Sequence, residues 1–287
     1  MTTADEAASA NAVQRAAWNG ARGEHWTTFA DTYDAQLATY VVPLLDAAEI
    51  EATSSVLDIG CGCGATTLAA ARRAPDGTAV GVDLSAPMLE MARARADSQG
   101  VSNARFVVAD VQTDRLVEGV DTAISRFGVM FFDDPVAAFT NVARALEPGS
   151  RLAFTSWRTI EHNDWLRVSR DALRTVVPVV DEPPPGAPGP VAFGDPGRVR
   201  SILDESGYGA VELQELAGPV LVGGGLSARE CAQFLRGTSM IETALAGVDA
   251  DTERRALDAI GDALAEHETA DGVLLGASAW VVRATRR

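Results

Sequence analysis

The chain has 287 residues, 47% hydrophobic and 22% charged, enough apolar material for one large domain or a domain with a lid. A formal net charge of −16 repels polyanions, so a nucleic-acid partner or an anionic membrane would need a basic patch, and only the short Arg286-Arg287 end offers one. Cys61, Cys63 and Cys231 do not make a disulfide framework, and no segment reaches the roughly 20 apolar residues that span a bilayer. Met1 to Asn11 lacks the basic and apolar regions of a signal peptide, so a cytoplasmic location is the expectation.

In chain order, residues 1–10 read as a polar tail. Residues 11–50 read as helical, because Trp18, His25, Trp26, Phe29, Tyr33 and Leu37 recur at helical spacings. Gly20 and Gly23 predict a break between two helices. From Thr53 strands and helices alternate. Ser55–Ile59 is a short apolar strand, followed by a glycine turn and a helix over Ala65–Arg73. Thr78–Val82 is a second strand, and Ser85 with Pro87 starts a helix that Gly100 closes. Strands are expected at Arg105–Ala109, Val120–Ser125 and Arg151–Ser156, with a helix over Asp134–Leu146. Residues 158–195, with the proline-rich run Glu182–Pro190, read as a connector. Helices then follow at Asp195–Ser206, Ser227–Ala246 and Thr252–Glu268, and strands at Ala210–Leu216 and Gly272–Ala284.

This order predicts an α/β fold, a doubly wound, mostly parallel sheet of seven strands. The expected divisions are a helical lid over 1–50, a cofactor core over 51–157 and, over 158–287, the rest of the sheet with helical insertions on the substrate side. Sites in such sheets lie beyond the carboxyl ends of the strands. Asp58, Asp83, Asp110 and Arg126 all fall at such ends.

The glycine turn Val56-Leu57-Asp58-Ile59-Gly60-Cys61-Gly62-Cys63-Gly64 permits positive φ and close backbone approach by a ligand. It also satisfies a loose dinucleotide pattern, leaving a nicotinamide-dependent oxidoreductase as an alternative. Asp58 argues against that alternative, because a carboxylate repels a pyrophosphate. It attracts the ammonium and sulfonium of S-adenosylmethionine. Asp83 lies 25 positions after Asp58, near the offset at which an acid binds ribose hydroxyls. Leu84 and Met88 are placed to flank an adenine, Asp110 to accept from its amino group and Val111 to offer a backbone N–H.

Together with Gly81–Ser85, Ala109-Asp110 and Arg144–Ser150, the turn makes about half the chain resemble class I S-adenosylmethionine-dependent methyltransferases, in the broad group that includes ubiquinone and menaquinone biosynthesis enzymes. The resemblance implies a Rossmann-like methyltransferase fold, with S-adenosyl-L-methionine lined by Asp58, Gly60, Cys61, Gly62, Asp83, Leu84, Met88, Asp110, Val111, Arg126 and Phe127. No metal is expected, since Cys61 and Cys63 have no second ligand pair at suitable spacing. The acceptor is expected to be a small, largely apolar molecule such as a quinone-like compound, polyketide, indole or terpenoid of secondary metabolism. Trp18, Trp26, Tyr33, Trp157, Trp165 and Phe193 are its expected contacts. His25 and His162 are the candidate bases if an acceptor proton must be removed. The same fold could instead run a non-methylating step such as a cyclisation. Oligomeric state leaves no mark in the sequence.

Overall fold

A computed structural model describes residues 11–177 and 186–287. Residues 1–10 and 178–185, the latter including the first four residues of the proline-rich run, lie outside the described residues. The strands are β1 Ser55–Ile59, β2 Thr78–Asp83, β3 Ala104–Val108, β4 Val120–Arg126, β5 Leu146–Trp157, β6 Tyr208–Val222, β7 Glu268–Thr269 and β8 Gly272–Arg286. The helices are α1 Ala12–Asn19, α2 Ala21–Thr28, α3 Ala30–Gln36, α4 Val41–Ala47, α5 Ala65–Arg73, α6 Ala86–Ser98, α7 Pro135–Ala145, α8 Asp164–Arg174, α9 Pro196–Glu205, α10 Ala228–Leu235, α11 Ser239–Leu245 and α12 Ala250–Ala265.

The sheet runs β3-β2-β1-β4-β5-β8-β6, with the two-residue β7 paired to β8. Pairing from β3 to β5 is parallel. β8 is antiparallel to both β5 and β6 and inserts between them. Strand order reverses between β1 and β4, which places a ligand crevice beyond their carboxyl ends. Val56 to Ile59 of β1 are all buried, as expected of a central strand covered on both faces.

Local chemistry sets the helix starts. Ser85 Oγ accepts from the Met88 N–H, Asp134 from Ala137 and Asp195 from Gly197, each with proline in the first turn. Ser227 and Glu230 form a reciprocal capping box at α10.

The structure differs from the sequence reading in several elements: the sheet has eight strands rather than seven, through the short β7, and β6 runs on to Val222 rather than ending at Leu216. Four short helices replace two over residues 11–50, and only Gly20 separates a pair of them. Gly23 lies inside α2, where a Cβ would come within 2.0 Å of the Trp18 carbonyl oxygen, so it serves close packing of α2 on α1. The segment expected to be a connector contains α8, whose buried Trp165, Leu166, Ser169 and Leu173 face the core between charged residues. The helix expected over Ser227–Ala246 is split around Gly237, where a Cβ would meet the His25 ring at 2.3 Å.

The N-terminal segment is not uniform. α1 buries none of its residues. Tyr33, Leu37 and Tyr40 belong to the main hydrophobic core, which runs under the sheet to α10 and α12.

Candidate functional site: an acidic cavity beside an aromatic one

Gly60, Gly62 and Gly64 have φ of 65°, 55° and 85°, so the turn after β1 rests on the residues that tolerate this conformation. The Gly60 and Cys61 amides donate to the Val82 carbonyl at 2.9 and 3.1 Å, fastening the turn to β2. At the end of β2, Asp83 accepts from the Gly62 amide through Oδ2 and from the Ser85 amide through Oδ1, both at 2.9 Å. Asp83 thus holds the turn and the next helix start together. Burial raises its pKa, and the amide hydrogen bonds oppose that rise.

Asp58 is fully buried. Its Oδ2 accepts from Thr67 Oγ1 at 2.6 Å, while Oδ1 has no hydrogen-bond partner. Burial pushes its pKa up to about 7, against the Thr67 hydrogen bond and the nearby Arg126 charge. Asp110 accepts from the Gln112 amide at 3.0 Å and from Asn11 Nδ2 at 3.2 Å, with Arg15 Nη2 at 3.4 Å. Arg126 is paired to Asp34 at 2.8 Å. Phe127 follows with φ of 59°, an uncommon conformation for a side-chain-bearing residue, and stacks on Trp157 at 4.2 Å.

Every residue expected at the cofactor, from Asp58 and the glycine turn to Arg126 and Phe127, lines one cavity. Asn11, Asp34, Thr66 and Gly128 join them without having been singled out in the sequence. Among the described residues of this lining, four carboxylates, those of Asp34, Asp58, Asp83 and Asp110, face one cation, Arg126. Such a wall favours a positively charged ligand. The orphaned Asp58 Oδ1 fits a ligand N–H donor, because a buried carboxylate oxygen without a partner is costly.

A second cavity adjoins the first. Trp18, Trp26, Tyr33, Leu37, Phe127 and Phe131 line both. Trp26 and Tyr33 stack face to face at 3.6 Å in this shared wall. Trp157, Trp165 and Phe234 add aromatic surface to the second cavity alone.

Three expected site residues are elsewhere. Phe193 is 2% exposed and packs against Phe139 and Phe154 in the core, outside both cavities. His25 does not line either cavity, because Phe29, Tyr33 and Phe234 surround its ring. Its Nε2 is buried without a partner, and burial lowers its pKa. His162 stands outside both cavities beside Arg158, at 3.1 Å. The Arg158 amide donates to the Ser278 carbonyl of β8, and His162 lies with Glu215 and Ser278 beside β6 and β8.

The fold and the acidic cavity define a class: a Rossmann-like domain with an acid-lined cavity at the switch point of its sheet. Residues 56–149 match a methyltransferase domain family. Aklanonic acid methyltransferase from Streptomyces sp. is 34% identical over 131 residues, which cover 44% of this chain and 60% of that protein. The chain thus spans less than two thirds of that relative's length. Nocamycin O-methyltransferase from Saccharothrix syringae is 30% identical over 201 residues, covering 65% of this chain and 71% of that protein. The YcgJ protein of Bacillus subtilis shares the fold, with a TM-score of 0.57 at 19% identity, covering 88% of this chain and 98% of that one. The chain belongs to the class I S-adenosylmethionine-dependent methyltransferases, and its cofactor is S-adenosylmethionine.

Proposed function

We propose that this chain moves a methyl group from S-adenosylmethionine to a small, largely apolar acceptor. The observation that carries the proposal is the shared wall between an acid-rich cavity and an aromatic one. The acidic side suits the cofactor, and the aromatic side suits a planar or lipophilic molecule. Asp58 Oδ1 is assigned to the cofactor ammonium, and Asp83 to the ribose hydroxyls. Asp110 and the Val111 amide are assigned to the adenine, flanked by Leu84 and Met88. The cofactor supplies an electron-poor methyl carbon; the chain supplies alignment and a dry site. Within the 1–50 segment the described residues from 11 on supply a lid in this reading, with Trp18 and Trp26 closing over the ligands while Tyr33, Leu37 and Tyr40 anchor it in the core, and 158–287 completes the sheet and the acceptor side. Quinone-like, polyketide, indole and terpenoid acceptors all meet these demands.

The test is calorimetry with S-adenosylmethionine, followed by mass spectrometry of small molecules incubated with protein and cofactor. Stoichiometric cofactor binding, S-adenosylhomocysteine release and a product heavier by one methyl are expected. Absence of cofactor binding, or turnover of an acceptor to a product of unchanged mass, would overturn the proposal.

A further inference from the structure

The two cavities differ in charge as well as in polarity. The first carries four carboxylates and one paired guanidinium. Among the described residues lining the second, Arg22 is the only charged one. Its Nη2 contacts Glu242 at 3.2 Å, and Glu242 is 41% exposed, so this ion pair sits at the wetted rim. The Arg22 Nε is buried and has no hydrogen-bond partner. The Tyr33 hydroxyl, on a residue only 6% exposed in the wall shared by both cavities, is likewise buried and unpartnered. Burial holds that phenol protonated, so it remains a donor.

Two unpaired buried donors, on side chains lining a mostly apolar chamber whose other polar residues are Gln36, Thr238 and Ser239, are costly to leave unsatisfied. Packing does not account for them: Tyr33 could stack on Trp26 as phenylalanine, and the guanidinium lies over Trp18 at 5.6 Å without needing its Nε. Both are donors, and no carboxylate among the described residues lines this chamber to take an acceptor's proton. The candidate histidines are outside it as well.

We infer that the acceptor enters as an oxyanion, a carboxylate or an acidic enol or phenol, held by Arg22 Nε and the Tyr33 hydroxyl. This rests on the methyltransferase reading above and narrows it to acidic oxygen acceptors. The acceptor oxygen forms its bond to the methyl carbon as that carbon's bond to sulfur breaks, the electron pair passing to sulfur. An anion and a sulfonium become two neutral products, and no proton has to move. A general base is then unnecessary, in keeping with the placement of His25 and His162. Charge also sorts the two ligands, the cationic cofactor to the four acids and the anionic acceptor to the lone arginine.

The test uses the full chain saturated with S-adenosylhomocysteine and two isosteric probes, 2-naphthoate and 2-naphthamide, titrated by calorimetry. The carboxylate is expected to bind at least about tenfold more tightly than the amide, the size of a charge-assisted hydrogen bond. Tyr33→Phe and Arg22→Met should each reduce that preference, and the double variant should bring it within about threefold. Glu242→Gln, which frees Arg22, should widen it. Tyr33→Phe should melt at or above the wild-type temperature, since the hydroxyl it removes is unsatisfied in the fold. Equal binding of the two probes, a preference that survives both substitutions, or no binding of either would overturn the inference. S-adenosylhomocysteine binding is read first: its failure refutes the methyltransferase reading, whereas its success with no carboxylate preference refutes only the oxyanion assignment.

Discussion

Replacing Asp58 with asparagine should make the empty protein more stable and the cofactor weaker to bind. The carboxyl is fully buried with one oxygen unpartnered, and burial lifts its pKa from 3.8 to about 7. Between those values the unfolded chain has released the proton and the folded chain has kept it. Stability therefore falls as pH rises through this window and is level above about 7. At 1.36 kcal/mol per unit, the ionised group costs the fold about 4 kcal/mol above neutral pH. The amide of the Asp58→Asn variant would keep an acceptor for Thr67 and remove that cost. S-adenosylmethionine brings a cation to the same carboxylate, so binding should release a proton below pH 7. Affinity should rise up to about tenfold per pH unit below the pKa and then flatten. The checks are calorimetry between pH 5.5 and 7.5 in buffers of different ionisation enthalpy, and thermal melting at pH 8. Asp58→Asn should melt higher at pH 8 and bind the cofactor about 10- to 100-fold more weakly, without the pH slope. Wild-type binding that releases no proton, together with undiminished affinity in the variant, would refute the assignment of Asp58 to the cofactor.

Asp83→Ala removes both the proposed ribose contact and the anchor of Gly62 and Ser85, so cofactor affinity should drop by about 2–4 kcal/mol in a folded protein; unchanged calorimetric affinity would remove Asp83 from the site. His25 has a lowered pKa within its aromatic cage. Its contribution to stability is therefore complete above the unfolded value of about 6.5 and is lost as pH falls below it. His25→Phe should reduce the loss of melting temperature between pH 7 and pH 5 relative to wild type, and an identical acid slope in both would show that the ring is accessible and titrates freely.

The alternation of strands and helices, the glycine turn and the acids at strand ends were legible because each depends on local chemistry. Val56–Ile59 reads as a strand buried on both faces, Ser85 and Asp134 cap the helices that follow them, and the glycines of the turn are needed wherever φ is positive. Once those elements pair in parallel, Asp58, Asp83, Asp110 and Arg126 arrive on one edge, so the acid-lined cavity follows from short-range rules. The second, aromatic-rich cavity does not. It depends on contacts such as Arg22 with Glu242 and Tyr33 with Phe234, between residues far apart in the chain, and no periodicity in either segment records them. The antiparallel insertion of β8 between β5 and β6 is likewise a matter of long-range pairing. Nor could composition separate Phe193, packed in the core, from Trp157 and Trp165, which face the chamber. An aromatic residue loses the same area to water in either setting, and only the packed chain decides whether protein or ligand covers it.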